Sequence, residues 1–256
     1  MDLGNNTVRV LKPSSSSVIL SAVVDAASQS AGPVSPGKIV VLYGGGLGPA
    51  TLVQNQPENG VYTSQLAGTS VYFNGIAAPI LYTSSTQVAA VVPYEITGPG
   101  VQVTVTYRGE TSPPFTVLLT AAAPGLFTLN QTGAGQAAAL NAIDGSINTA
   151  VNPVKRGDFI SLYATGEGPT TPAGADGKIA SGPPLPQPNL KVSATIGGLP
   201  AVVQYAGAAP NQVAGLMQVN VQVPSGVEPG GYVPVVLQIG SAATVAGAVW
   251  IAVAEN

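Results

Sequence analysis

The chain has 256 residues, enough for one large domain or two modest ones, and 45% of them are hydrophobic, which excludes wholesale disorder. Only 7% are charged, with 8 basic against 11 acidic residues and a net charge of -3, so no cluster of lysine and arginine exists to neutralise phosphates, and nucleic acid is a poor partner. Cysteine and histidine are absent, which removes disulfides, thiolate chemistry and metal centres built on those ligands. No apolar run approaches the ~20 residues of a membrane span, so membrane insertion is not expected. The opening "MDLGNN" does not read as a signal peptide.

In chain order, the first 17 residues form an arm, in which Thr7, Val8, Arg9, Val10 and Leu11 make a β-prone segment ahead of any regular unit. A first sandwich is expected over 18–123, with strands near Val18–Val24, Ile39–Tyr43, Thr69–Phe73, Ala78–Tyr82, Gln87–Val92, Val101–Tyr107 and Phe115–Thr120. A second is expected over 124–256, with strands near Ala137–Leu140, Phe159–Tyr163, Val192–Ile196, Val202–Tyr205, Gln218–Val223, Val233–Ile239 and Val249–Val253. Seven strands in roughly 100–120 residues is the size of an immunoglobulin-like unit. Gly (32) and Pro (23) fall as punctuation between these short runs, which is the spacing of an all-β chain. Asn74–Gly75, inside "VYFNGIAAPILY", fits a type I′ hairpin turn, and Gly197–Gly198 takes that role in the second unit.

The two units are copies of one pattern. "SPGKIVVLYGGGLGP" (Ser35–Pro49) aligns with "KRGDFISLYATGEGP" (Lys155–Pro169), "VYFNGIAAPILY" with "ATIGGLPAVVQY", and "TQVAAVVP" with "MQVNVQVP". The repeat decides how to read the glycine loop. Gly44, Gly45 and Leu47 become Ala164, Thr165 and Glu167, and no helical apolar period follows Pro49, so a phosphate cradle lacks both its glycines and its helix. The loop is a bend where a strand leaves its sheet.

As a set, "PGKIVVLYGGGLGP", "VYFNGIAAPILY", "TQVAAVVP", "APGLFT", "NPVKRGDFISLYATGEGP" and "MQVNVQVP" resemble the C-terminal domain of many secreted acidobacterial proteins, from about Ile19 onward. Each half also resembles the immunoglobulin-like, TIG-type sandwich. The resemblance implies an extracellular or cell-surface pair of β-sandwiches and brings no catalytic residues. Glu167 departs from it, standing where that family usually carries an apolar residue.

Candidate chemistry is sparse, and no enzyme, cofactor or metal is expected. Glu167 and Asp176 are the one pair of loop carboxylates with acid–base potential, beside Asp144 and Asp158; loop carboxylates are usually only solvated. "DGSIN" (Asp144–Asn148) has oxygen ligands at alternate positions but lacks the later glutamate of a calcium loop, and reads better as a turn. A Lys–Asn isopeptide crosslink would need Lys38, Lys155 or Lys191 buried beside an asparagine and a carboxylate, which no spacing favours. Tyr62, Tyr72, Tyr94, Tyr107 and Tyr232 offer rings for sugar stacking, although strand tyrosines more often keep the ring inside. Pro-rich "SGPPLPQPN" (Ser181–Asn189) is a stiff loop before it is a polyproline ligand.

Two readings follow. In the first, the chain is a structural subunit of a surface assembly or filament, and its partner is itself: Thr7–Leu11 would add to a sheet edge of a neighbouring copy, whereas the default for such a segment is to pair within its own domain or cap an edge there, as "GLFTL" does in the second unit on the same reading. In the alternative it is an adhesion module for glycans or surface proteins, whose recognition loop is the insertion "YAGAAPNQVAGL" with Tyr205, Asn211 and Gln212.

Overall fold

The computed structural model describes residues 17–255, all of whose regular elements are strands. The segment Thr7–Leu11 lies outside the described residues. In the first sandwich the principal strands are β1 (Ile19–Asp25), β2 (Ile39–Gly45), β3 (Thr69–Phe73), β4 (Ile80–Thr83), β5 (Gln87–Val91), β6 (Gly100–Tyr107) and β7 (Phe115–Leu118). One sheet runs β1-β2-β5-β4 with the short Val53–Gln54 at its end, and the facing sheet runs through β3, β6 and β7.

The second sandwich repeats these pairings with β8 (Ala139–Asn141), β9 (Phe159–Thr165), β10 (Val192–Ile196), β11 (Leu199–Ala208), β12 (Met217–Gln222), β13 (Gly230–Ile239) and β14 (Val249–Val253). The antiparallel pairs β1–β2, β2–β5, β5–β4, β3–β6 and β6–β7 recur as β8–β9, β9–β12, β12–β11, β10–β13 and β13–β14. Gly125–Leu126, which opens the "GLFTL" stretch, also pairs with β9, beside Ala164 and Thr165.

Alternation explains which faces are buried. Along β6, Val101, Val103 and Val105 are buried while Gln102 is exposed and Thr104 and Thr106 are partly so, the period of a strand with one face on a core. The first core gathers Leu42, Val71, Phe73, Ile80 and Val103, and the second gathers Ile160, Leu162, Met217, Leu237 and Ile251.

Both predicted hairpins have the φ > 0 geometry of type I′ turns: Asn74 and Gly75 sit at φ 49 and 82, and Gly197 and Gly198 at φ 60 and 80. The strand expected over Ala78–Tyr82 is instead split. Ile76–Ala78 pairs with β3 and Ile80–Thr83 with β5, and Pro79, which has no N–H to give to a ladder, stands at the changeover. In the second copy one long strand, β11, makes both pairings, with β10 from Leu199 to Ala201 and with β12 from Val202 to Ala208, the register shifting between Val203 and Tyr205.

The glycine loop is a bend. Gly46 turns at φ 65, and side chains on Gly44 and Gly46 would collide with the carbonyl oxygens of Ile19 and Ser17. In the second copy Gly166 and Gly168 turn at φ 87 and 79 against the carbonyl oxygens of Ala123 and Ala121. The missing Cβ atoms let the incoming chain cross the strand end closely.

Candidate functional site: the joint and the groove beside it

The outer face of the first sheet is not left to solvent. Val40, Leu42 and Ala90 point into the first core, so Ile39, Leu81 and Val91 point the other way, where they pack with Phe127, Ile179, Val213 and Leu216 of the second sandwich. Backbone bonds cross the same contact: Tyr62 N–H donates to the Gly177 carbonyl at 2.8 Å and Ile179 N–H to that of Gly60 at 2.8 Å. The Thr165 hydroxyl accepts from Ile39 N–H at 2.8 Å and donates to the Gly215 carbonyl at 2.8 Å.

Two buried polar contacts secure this joint. Lys38, at the start of β2, forms an ion pair with Asp25 at the end of β1, Nζ to Oδ2 being 2.7 Å, and both side chains are 6% exposed. Its Nζ also donates to the carbonyl oxygen of Ala123 at 2.9 Å and lies 3.4 Å from that of Pro33, so the first sandwich is tied to the chain that enters the second. The other Asp25 oxygen accepts from Ala27 N–H at 2.6 Å and Ser28 N–H at 3.0 Å. Lys38 thus meets a carboxylate and carbonyls, not the asparagine that a Lys–Asn crosslink requires, and Lys155 and Lys191 are exposed.

The second contact is Tyr94. Its hydroxyl donates to Glu167 Oε1 at 2.6 Å and its N–H donates to Asp176 Oδ1 at 2.9 Å. Its ring lies where side chains on Gly37 and Gly174 would have to stand. Glu167 and Asp176 therefore do not face each other across a cleft: each binds a different end of one tyrosine of the other sandwich, the hydroxyl and the backbone N–H. Glu167 is fully buried, its Oε2 has no hydrogen-bond partner among the described residues, and burial pushes its carboxyl up to about 7, partly offset by the Tyr94 bond. Tyr94 is raised well above the usual tyrosine range by burial and by Glu167. Leu47, the counterpart of Glu167 in the first copy, is likewise fully buried.

Beside the joint, on the second sandwich, an open groove runs along Tyr205. One part, of about 420 Å³, is lined by Pro183, Pro184, Leu185, Pro210 and Asn211. The other, of about 480 Å³, is lined by Asn189, Lys191, Val192 and Gln204. Tyr205 and Gln187 line both. The Tyr205 hydroxyl donates to the Ala208 carbonyl at 2.7 Å, which fixes the ring, and Ala208 N–H donates to the Pro186 carbonyl at 2.8 Å, which anchors the Pro-rich loop as a wall. Of the three residues expected in a recognition loop, Tyr205 and Asn211 line the groove. Gln212 is exposed outside it, its carbonyl accepting from Ala180 N–H at 2.8 Å.

The other candidates resolve simply. Asp144 accepts from Ser146 N–H and hydroxyl at 3.0 and 2.6 Å, contacts that hold its carboxyl below the usual range, so "DGSIN" opens as a turn. Asn148 is committed to a buried network with Asn141, Gln136 and the backbone of Ala252. No cluster of three acidic side chains suited to a metal occurs among the described residues. Of the five tyrosines considered for stacking, Tyr232 is widely exposed, edge-on to Trp250 at 5.5 Å; Tyr62 and Tyr94 belong to the joint, and Tyr72 and Tyr107 are half-buried.

Residues 22–120 match the IPT/TIG domain family model. No curated protein matches the chain. Among solved structures it is similar to the plexin A4 extracellular region at 12% identity, with 98% of this chain and 20% of that one covered and a TM-score of 0.30. It is also similar to SGBP-B of the Bacteroides ovatus mixed-linkage glucan utilization locus, in complex with a heptasaccharide, at 13% identity, covering 86% and 44%, with a TM-score of 0.33. A third is the I9-I11 tandem of titin, at 9% identity, covering 93% and 66%, with a TM-score of 0.22. The chain spans about a fifth of the plexin chain. No helix is long and apolar enough to cross a membrane among the described residues. The first sandwich is thus similar to an IPT/TIG domain, and the chain is an all-β tandem of immunoglobulin-like sandwiches.

Proposed function

We propose that the chain is a non-catalytic, extracellular adhesion module, part of a secreted bacterial surface protein of the acidobacterial kind it resembles, whose groove along Tyr205 takes a neutral, linear glycan. Its two sandwiches divide at 123/124 and act as one stiff platform through the joint. The observation that carries the reading is the groove itself. Its two parts, about 420 and 480 Å³, fall in the size range of ligand sites, about 300–1,000 Å³, and continue past a single aromatic ring. Tyrosine and proline faces suit sugar rings, the amides of Gln187, Asn189 and Asn211 suit hydroxyls, and among the described residues Lys191 is the one charged side chain along it. Affinity electrophoresis through gels holding hydroxyethyl cellulose, soluble starch or galactomannan tests this. Retardation in at least one gel, weakened about five- to thirtyfold by Tyr205→Ala, is expected, since a central aromatic contact is worth about 1–2 kcal/mol. Unretarded wild-type protein, or retardation indifferent to Tyr205→Ala, overturns it.

Self-assembly is a second reading, favoured by an apolar pole. β9 reaches the joint at Thr165, so the loops beside Phe159 and Gly230 lie at the opposite end, and there Val151 is 96%, Ile143 81% and Tyr232 79% exposed. Such clustering is what an interaction surface shows. The segment Thr7–Leu11 of a neighbouring copy is the proposed occupant. Light scattering on the full chain and on a chain lacking residues 1–12 decides: oligomers lost on truncation support strand donation, and monomers in both remove it.

A further inference from the structure

The insertion between Tyr205 and Leu216 belongs to the groove and to the joint at once. Tyr205, Pro210 and Asn211 line the groove, while Val213 and Leu216 pack against Ile39 and Val91 of the first sandwich. Gly215 is held closer still: its carbonyl accepts from Thr165, and a side chain on it would collide with the carbonyl oxygen of Gly37, the residue against which the Tyr94 ring packs. The wall that Pro210 and Asn211 form therefore continues directly into residues braced against the first sandwich beside the seat that Tyr94 occupies, whereas Tyr205 itself is held within the second sandwich by β12 and Ala208.

That seat holds one conspicuous liability. Glu167 is fully buried and one of its oxygens has no partner among the described residues. The groups that face it are the Tyr94 hydroxyl from the first sandwich and, farther off, Tyr205 from β11; Asp176 faces Tyr94 from the loop after β9, with Glu95 near Asp176. Every one is neutral or negative, and among the described residues no lysine or arginine contributes to Glu167. Burial opposes a negative charge there, and the Tyr94 hydroxyl, which donates to it, offsets that only in part; a neutral carboxyl keeps the same hydrogen bond without the cost of a buried charge.

We infer that the Glu167–Tyr94 contact is a proton-sensitive latch on the joint, seated when Glu167 is neutral and loosened when it is ionised, and that through the insertion it regulates the groove. The second half of this rests on the reading of the groove as a binding site; the first half does not. The direction of the carboxyl's titration, up to about 7, puts the change within reach of an extracellular environment.

The absence of native cysteine allows specific spin labels at Thr116→Cys and Ser241→Cys, both exposed and one on each sandwich. Pulsed dipolar spectroscopy without ligand is expected to give one narrow distance at pH 5 and a broadened or second distance at pH 8. Glu167→Gln should keep the narrow distance at both. If that variant fails to fold, Tyr94→Phe serves: removing the hydroxyl donor moves the transition to higher pH. An unchanged distribution in the wild type, or a pH response that survives Glu167→Gln, overturns the latch. The hydroxyethyl cellulose gel run at both pH values forms the second arm, with retardation several-fold weaker at pH 8 in the wild type and pH-independent in Glu167→Gln. A joint that moves with pH in a protein that no gel retards upholds the latch and removes only the groove; a static joint removes the latch whatever the gels show.

Discussion

Replacing Lys38 by methionine is expected to lower the unfolding free energy by about 3–5 kcal/mol, because it leaves the Asp25 carboxylate buried without its counter-charge. The stem is nearly isosteric, so little packing is lost and the effect reports the charge. Asp25 is restrained where it stands: one oxygen is held by Ala27 N–H and Ser28 N–H, and Gly125 lies so close that a side chain there would overlap the carboxylate. The carbonyls of Ala123 and Pro33 lose their donor as well. Urea denaturation at pH 7 measures the change. Combining Lys38→Met with Asp25→Asn should recover part of it, since no uncompensated charge remains and the amide oxygen still accepts from Ala27 and Ser28. A loss under about 1 kcal/mol for Lys38→Met would match a solvent-exposed pair and mean that water reaches the joint.

This ion pair shows what a linear sequence hides. Asp25 and Lys38 lie at the joined ends of two strands, and only the antiparallel register, with Asp25 opposite Val40, brings them together. Nothing in local propensity distinguishes a lysine that will be buried from one that will be solvated. Elements governed by local rules were legible: the Asn74–Gly75 and Gly197–Gly198 turns need φ > 0 at both positions, and the valine alternation of β6 needs one wet face. The effect of Pro79 was not legible, and a single strand was expected across it, because whether a proline bends a strand or divides it between two sheets depends on what stands on either side. The joint left two traces. One was the length of the insertion before Leu216, whose valine and leucine are apolar beyond what a solvent loop needs. The other was the mismatch of Leu47 with Glu167. A duplicated core position holding leucine in one copy and glutamate in the other signals a new neighbour for the second copy, and Tyr94 is that neighbour.

Stability of the wild type is expected to fall, relative to a Glu167→Gln variant, by on the order of 3 kcal/mol between pH 4 and pH 8. The carboxyl rises from 4.5 to about 7 on folding, and each unit is worth about 1.4 kcal/mol. Between those two values the folded chain keeps a proton that the unfolded chain has released, so raising the pH favours unfolding across that window and adds nothing further above it. No discount for solvent screening applies, because the group is fully buried. Other carboxyls also titrate on folding: Asp176 is raised by burial, and Glu110 and Asp144 are lowered by bonds from Ser17 and Ser146. All are present in both proteins, so the difference between the two pH profiles isolates Glu167. Glutamine mimics the neutral acid, with its oxygen accepting from Tyr94 and its amide nitrogen where the unpartnered oxygen stood, so the two proteins should agree at pH 4 and diverge as the pH passes from 4.5 to 7. Thermal or urea unfolding at a series of pH values gives the curves. Parallel curves would mean that water or a cation reaches the second oxygen, and the desolvation that drives the whole effect would then be absent.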